Sequence, residues 1–241
     1  MIQVFFDIIR GVSRAFGVEL LRHNPANSEL ALIKFLLQEH QILQVLDVGA
    51  NQGQFAEKLR NKINYRGQII SFEPVSASFE KLSHMSQKDD QWSVVQMAVG
   101  DRQGEMPIHI SLNSVSSSLK QATQSAVEAE KGIKVVGTED VFIDTLDHLT
   151  IKYKIQSGYW LKIDVQGFER EVLTGAKQVL KEAKVVQIEL ALTPSYQNGS
   201  YIEEIISTLR NEGFVVYSLL AGYSNYTTGK MYEAEGFFVR E

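Results

Sequence analysis

The sequence of 241 residues contains no cysteine and only four prolines. The lack of cysteine excludes disulfide bonds and thiolate metal sites, and it leaves the redox compartment open. No apolar run approaches the ~18 residues that span a membrane, and Asp7 stands where a signal peptide needs basic residues. These absences predict a soluble protein of the cytoplasm.

Clustered positive charge is also missing. The net charge is −5, and no stretch gathers five or more Lys or Arg residues, so the electrostatic footprint of a nucleic-acid-binding protein is absent. The sequence also lacks the Gly-x-Gly-x-x-Gly fingerprint and a Walker lysine, which argues against NAD and ATP. A hydrophobic content of 44% is enough for the core of one large domain.

What is present is an apolar strand that breaks into a glycine turn. Residues 45–53 read Val-Leu-Asp-Val-Gly-Ala-Asn-Gln-Gly, and the apolar residues after them recur at helical spacing. Two glycines let the backbone turn tightly and approach a ligand. The pattern therefore predicts a strand, a nucleotide-binding loop and a helix, with ligand contacts from Asp47, Gly49, Ala50, Asn51 and Gly53.

A second apolar strand ends in Glu73-Pro74, twenty residues after Gly53. A doubly wound fold places at this point the acid that accepts both ribose hydroxyls. A ribose site without a phosphate motif suggests S-adenosylmethionine (SAM). The third strand is predicted to end in a turn at residues 98–104, with Ala98 beside the adenine. Either acid alone is most simply a strand-end or capping carboxylate, and only the combined pattern favours a cofactor site.

Two amphipathic helices are predicted before the first strand. Phe5, Ile8, Ile9, Val12 and Phe16 share one helical face, and Leu30, Ile33 and Leu37 share another after Asn24-Pro25. We interpret residues 1–41 as a helical cap on a catalytic domain of residues 42–241, the alternatives being a lid or an interfacial membrane helix. The long polar segment 113–140 is either a substrate loop or a surface excursion.

The second chemical stretch is residues 159–169, a buried strand with Lys162 that ends in Asp164 and Gly167. One apolar stripe from Phe168 to Leu180 predicts a following helix, so Asp164 should face the same sheet edge as Asp47. Glu189, near the end of the next strand, is with equal weight a third acid at this edge or a paired polar residue within the sheet.

With these motifs, the chain resembles the FkbM-type family of class I SAM-dependent methyltransferases. The resemblance covers residues 43–220 and is carried by residues 46–53, 72–74, 98–101, 116–119, 143–147, 161–169 and 172–176. It implies an α/β, doubly wound Rossmann-like sheet of seven mostly parallel strands in the order 3-2-1-4-5-7-6, here with an N-terminal helical extension. It also implies O-methylation of a sugar, glycolipid or polyketide-like acceptor. The family often has Glu where this chain has Gln166.

A hydroxyl acceptor needs a general base, because an alcohol is a poor nucleophile until its proton leaves. Asp164 is our first choice. Lys162 either positions the acceptor or pairs with Asp164, which would weaken that base; Glu189, His109 and His148 are reserves. The strand-end acids could instead bind Mg²⁺, although we expect no metal. The alternative functions are a catalytically silent SAM-binding module and, less favoured, a nucleotide-dependent oxidoreductase. The oligomeric state is not predicted.

Overall fold

A computed structural model describes residues 2–240, without the side chains of residues 2–5. The predicted place of Phe5 on an apolar helix face therefore lies outside the described residues. The helices are α1 Ile2–Ala15, α2 Glu29–Glu39, α3 Gln54–Lys58, α4 Ser76–Ser86, α5 Gln124–Ala129, α6 Leu146–Lys152, α7 Glu169–Thr174, α8 Lys177–Glu182 and α9 Ile202–Asn211. The strands are β1 Gln44–Val48, β2 Gln68–Phe72, β3 Trp92–Val95, β4 Ala98–Gly100, β5 Gly104–Ser111, β6 Val135–Thr145, β7 Trp160–Ile163, β8 Val185–Ala191, β9 Phe214–Ala221 and β10 Glu233–Arg240.

The main sheet has seven strands in the order β3-β2-β1-β7-β8-β10-β9. Numbered by themselves in chain order, these strands read 3-2-1-4-5-7-6, as the resemblance implies. The pairs from β3 to β8 are parallel, and β10 runs antiparallel to both β8 and β9. The carboxyl ends of β1, β2, β7 and β8 therefore meet at one edge, where open α/β sheets bind their ligands.

A second sheet of three strands, in the order β4-β6-β5, was not predicted. Two expectations are corrected by it. Ala98–Gly100 is not part of a turn, because it pairs in parallel with the end of β6. The segment 113–140 is not one long loop, since it contains α5 and the start of β6, whose edge pairs with β5. The strand was missed because the first part of β6 is largely exposed and carries polar residues, so it lacks an apolar run.

Both faces of the main sheet are covered by apolar residues. One buried cluster joins the sheet to α6, α7, α8 and α9, and another joins the opposite face to α2 and α3. Four residues of α2 are buried: Leu32, Ile33, Leu36 and Leu37. By contrast, Ile8 and Val12 on α1 and Phe16 just after it are exposed. No helix within residues 2–240 is long and apolar enough to span a bilayer.

The predicted single helix after Gly167 is two helices, α7 and α8. The chain breaks at Gly175, where an added Cβ atom would lie 1.9 Å from the carbonyl oxygen of Gly100. The N-terminus of α8 is capped by a side chain remote in sequence: Asp147 Oδ1 accepts hydrogen bonds from the backbone N–H groups of Gln178 and Val179, both at 2.9 Å. The break could not be predicted from the sequence pattern, because both helices bury the same face and the apolar stripe runs through them without interruption.

Candidate active site

A cavity of about 310 Å³ opens at the carboxyl edge of the main sheet. Its walls come from the loops after β1, β2 and β7, from the sheet face at β8 and β10, and from residues 114–119, which we call the strap. The lining residues from the predicted site are Gly49, Ala50, Asn51, Glu73, Pro74, Ala98, Lys162 and Asp164. Most of the predicted residues therefore lie around one cavity.

The glycine loop is shaped by protein contacts. Gly49 has a φ of +81°, and an added Cβ atom would lie 1.8 Å from the carbonyl oxygen of Asp164. Gly53, with a φ of +95°, packs instead against the Trp92 ring and is not among the lining residues. Gly49 therefore lets the β1 and β7 loops approach each other, and Gly53 leaves room for Trp92. That these glycines also admit a ligand stays a prediction.

Glu73 is buried and bridges two segments of the cavity wall. Its Oε2 accepts a hydrogen bond from the Asn51 backbone N–H at 2.7 Å, and its Oε1 accepts one from Val75 at 2.9 Å. Burial raises the pKa of Glu73 to about 7, although both backbone hydrogen bonds oppose the shift. Each oxygen keeps a lone pair, so the carboxylate can still accept two hydroxyl groups.

A polar row crosses the sheet beneath the cavity. Ser71, Asp47, Lys162 and Gln187 are successive register partners on β2, β1, β7 and β8. Asp47 is fully buried and does not line the cavity; it accepts a hydrogen bond from Ser71 Oγ at 3.3 Å and pairs with Lys162 Nζ at 3.5 Å. Asp47 was predicted to contact the cofactor, but it lies where it supports Lys162.

Lys162 and Asp164 form an ion pair on the cavity wall. Their Nζ and Oδ2 atoms are 3.3 Å apart. Burial lowers the pKa of Lys162, but the charges of Asp164 and Asp47 outweigh it and hold that pKa above its ordinary value. Lys162 therefore stays an ammonium ion. Asp164 keeps 38% of its side chain exposed, so it can meet a ligand.

Gln166 links the Lys162–Asp164 pair to Glu189, which lines a second, smaller cavity. Its Nε2 donates hydrogen bonds to Asp164 Oδ1 and to Glu189 Oε2, both at 2.9 Å. Glu189 does not line the large cavity but lines a smaller one behind Gln166, with Glu169 and Glu233. Burial and the charge of Asp164 raise the pKa of Glu189. The structure therefore separates Glu189 from Asp164 and Lys162.

The strap covers the cavity and is held at three points. Ser118 Oγ donates to the Gln166 carbonyl oxygen at 2.6 Å, and Gln52 Nε2 donates to Ser114 Oγ at 3.1 Å. Tyr196 Oη lies 2.9 Å from the Ser116 carbonyl oxygen and 2.8 Å from Gln166 Oε1, so its one hydrogen can serve either acceptor. Sequence reasoning missed Tyr196, since nothing local links it to the strap.

Other side chains considered from the sequence lie elsewhere. His109 and His148 are not among the lining residues, and His148 Nδ1 lies 2.7 Å from Asp144 Oδ2. Tyr223 is also absent from the cavity lining and stacks on Tyr232, with ring centroids 5.6 Å apart. Among residues 2–240, no group of three or more histidine or acidic side chains has a metal-binding arrangement.

Comparison with known proteins decides the family. The family profile described as the methyltransferase FkbM domain matches residues 47–216, which include the glycine loop, Glu73 and Asp164. The chain belongs to the FkbM methyltransferase family. It is a SAM-dependent methyltransferase, which removes the oxidoreductase alternative.

Two curated relatives and one solved structure extend this assignment. The chain is 27% identical over 209 residues to the hexuronic acid methyltransferase AglP of Haloferax volcanii, covering 82% of this chain and 80% of the relative. It is 23% identical to the 2-O-methyltransferase NoeI of Sinorhizobium fredii, covering 68% of this chain and 70% of the relative. The crystal structure of an FkbM methyltransferase from Methylobacillus flagellatus has the same fold, with a TM-score of 0.55 and 12% identity; the match covers 82% of this chain but only 43% of that longer one.

The side chains at one end of the cavity fit SAM. Glu73 would hold the ribose hydroxyls, and the buried Asn51 Nδ2, which has no hydrogen-bond partner among the described residues, offers a further donor. Met97, Ala98, Val99 and Leu119 give an apolar wall for the adenine. When bound, the cofactor supplies a methyl group on a cationic sulfonium, which suits the neighbouring carboxylate of Asp164.

Proposed function

We propose that the protein is an O-methyltransferase that methylates a hydroxyl of a sugar or a sugar-bearing small molecule, with Asp164 as the general base. The names of the two curated relatives support a sugar acceptor, one being a hexuronic acid methyltransferase and the other a 2-O-methyltransferase. The net charge of −5 supports a small acceptor over nucleic acid.

The observation that carries this proposal is the setting of Asp164. Its carboxylate is on the cavity wall, partly exposed, with one oxygen held by Lys162 Nζ at 3.3 Å and the other by Gln166 Nε2 at 2.9 Å. These contacts fix the direction of the carboxylate and leave a lone pair on each oxygen. A base held in this way can accept a proton from a hydroxyl within hydrogen-bond reach.

The protein's part in the reaction is then positioning and proton transfer. The acceptor hydroxyl donates a hydrogen bond to Asp164, and its proton moves to that carboxylate as the oxygen takes the methyl group. Lys162 remains protonated and holds the Asp164 carboxylate in position through their 3.3 Å contact. Holding donor and acceptor in line can by itself supply roughly 7–11 kcal/mol of the barrier reduction.

We further propose that residues 1–41 act as a cap on the catalytic domain of residues 42–241. Glu29, the first residue of α2, lines the cavity and forms an ion pair of 2.9 Å with Lys58 on α3. This contact makes the N-terminal extension part of the cavity wall. The apolar side of α2 fixes its position, because it is buried against the sheet.

The base is tested with Asp164→Asn, which keeps the size of the side chain and removes its basicity. Methyl transfer from methyl-labelled SAM is followed with a set of methyl glycosides, and affinity for S-adenosylhomocysteine (SAH), the demethylated product, is measured by calorimetry. We expect turnover to fall at least about 100-fold, as for loss of a general base, with SAH affinity unchanged. The matched control is Asp101→Asn, because Asp101 is not among the lining residues and pairs with Arg102. A variant that turns over at the wild-type rate would end the candidacy of Asp164.

A further inference from the structure

The cavity extends past the residues that would hold SAM, along the sheet towards β8 and β10. Its walls at this end are Gln187 and Glu235 from the sheet, with Glu29, Phe55 and Lys58 from the two helices that cover this face. Neither Gln187 nor Glu235 was recognised in the sequence. Gln187 lies within an apolar strand that reads as core, and Glu235 precedes the apolar residues of β10.

The spacing of the strands shows what this end of the cavity faces. Neighbouring strands are about 4.8 Å apart, so β10 lies four spacings, roughly 19 Å, from β2, which carries Glu73 at its end. In SAM the ribose and the sulfonium are joined through a single carbon. A donor whose ribose is bound by Glu73 therefore presents its methyl group over β1 and β7, beside Asp164. The far end, over β8 and β10, lies beyond the methyl group, within reach of the acceptor and of the sulfonium's third substituent, the amino-acid chain of SAM.

Gln187 has an unused hydrogen-bond acceptor at this end. The side chain is 2% exposed, and its Nε2 donates to Glu235 Oε1 at 2.8 Å. Its Oε1 is buried and has no partner among the described residues. Buried polar atoms are rarely left without a partner, and a carbonyl oxygen can pair only with a donor. The atom therefore indicates a ligand that brings an O–H or N–H group.

An anionic acceptor needs a positively charged partner, and the charges at this end of the cavity do not provide one. Within the described part of the chain, the cations that line the cavity are Lys58 and Lys162. Lys58 is bound by both oxygens of Glu29 at 2.9 Å, and Lys162 lies between Asp47 and Asp164. Glu235 has no such lysine pair among the described residues; burial and the charge of Asp164 raise its pKa to about 7, which Lys162 only partly offsets. Above pH 7, where Glu235 is ionised, a ligand carboxylate would therefore meet carboxylates here.

We propose that Gln187 and Glu235 form the acceptor subsite of this enzyme and select an uncharged or amino sugar, whose hydroxyl or amino group donates hydrogen bonds to them, over a sugar acid. This inference rests on the proposed O-methyltransferase function and adds the class of acceptor. It separates the specificity of this chain from that in the name of its relative AglP, a hexuronic acid methyltransferase.

The test measures binding of three methyl glycosides to the protein saturated with SAH. Methyl β-glucoside, methyl β-glucosaminide and methyl β-glucuronide provide a neutral, a cationic and an anionic probe on one ring, and their dissociation constants are obtained by ligand-observed NMR. We expect the glucuronide, measured at about pH 8.5 where Glu235 is ionised, to bind at least about tenfold more weakly than the better of the other two, because like charges would face each other at Glu235.

Variants then assign the discrimination to one side chain. Glu235→Gln removes the charge and should lower the ratio between the glycosides to within about threefold, with SAH affinity unchanged. The matched control is Glu233→Gln, two residues away on the same strand, because Glu233 lines only the smaller cavity. It should leave the ratio at its wild-type value.

Three results would overturn the subsite. The first is a wild-type protein that binds the glucuronide as tightly as the other glycosides, the second is binding of none of them, and the third is a Glu235→Gln variant that loses SAH affinity and keeps the ratio. The last would place Glu235 at the donor. Intact SAH binding and an Asp164-dependent methyl transfer in the same protein would leave the proposed function standing in each case.

Discussion

Substitution of Glu73 by Gln tests the assignment of the ribose site. The carboxylate accepts backbone hydrogen bonds from Asn51 and Val75 and would also accept two ribose hydroxyls. The amide of Gln keeps the shape of the side chain but has only one oxygen. One backbone donor then faces an NH₂ group, and one ribose hydroxyl loses its charged acceptor.

The size of the effect follows from that lost contact. A hydrogen bond to a charged group contributes about 1.5–3 kcal/mol, so the dissociation constant for SAH should rise roughly 10- to 140-fold. Stability without ligand should fall by about 1–3 kcal/mol, because the buried backbone N–H that faces the NH₂ group loses its acceptor.

The assay is calorimetric titration with SAH, alongside urea unfolding of the ligand-free proteins. The control is Glu139→Gln, since Glu139 is only partly buried, accepts hydrogen bonds from Ser76 and is not among the lining residues. SAH affinity that is equal in the Glu73→Gln and wild-type proteins would remove Glu73 from the ribose site and refute this reasoning.

Three further predictions concern pH, the strap and the glycine loop. Burial raises the pKa of Glu73, Glu169 and Glu235 from an ordinary value of 4.5 to about 7 in the folded protein. The folded state therefore binds more protons than the unfolded state, and the free energy of unfolding should fall as pH rises from about 4.5 to about 7. A stability that rises across this range in urea unfolding would contradict the burial argument. Tyr196→Phe removes the hydroxyl that reaches Ser116 and Gln166, so it should lower the free energy of unfolding by about 1 kcal/mol and speed amide exchange in the strap. The control is Tyr226→Phe, because the Tyr226 side chain is fully exposed. Amide exchange in the strap that is equal in the two variants would show that Tyr196 does not hold the strap. Gly49→Ala should lower the free energy of unfolding by more than about 1–2 kcal/mol, because Gly49 has a positive φ and lies against the Asp164 carbonyl. The control Gly137→Ala should change it little, since nothing lies within 4 Å of the added Cβ atom. Equal effects of the two substitutions would contradict the close approach of the β1 and β7 loops.

Much of the cavity lining could be predicted because it is local in sequence. The glycine loop follows β1 directly, Glu73 follows β2, and Asp164 follows β7, so each residue is marked by the end of an apolar strand. Parallel pairing then brings these ends to one edge. The order of the seven strands came from the family resemblance, since strand patterns alone do not determine order.

The residues that were missed depend on long-range pairing. Gln187 and Glu235 meet only because β8 and β10 are antiparallel neighbours, and Tyr196 reaches the strap across 80 positions of sequence. Asp47 was expected at the cofactor because it ends an apolar strand, but its side chain points to Ser71 and Lys162 beneath the loop. Local pattern places a residue near an edge, whereas register decides which neighbours its side chain meets.

The central claim is that this protein moves a methyl group from SAM to a sugar hydroxyl. The most direct measurement incubates the purified protein with methyl-labelled SAM and the three methyl glycosides, and analyses the products by mass spectrometry and NMR. The account predicts SAH formation together with a singly methylated glycoside whose new methyl group is on oxygen. SAH binding without any labelled glycoside, or a label found on nitrogen of the amino sugar, would contradict it.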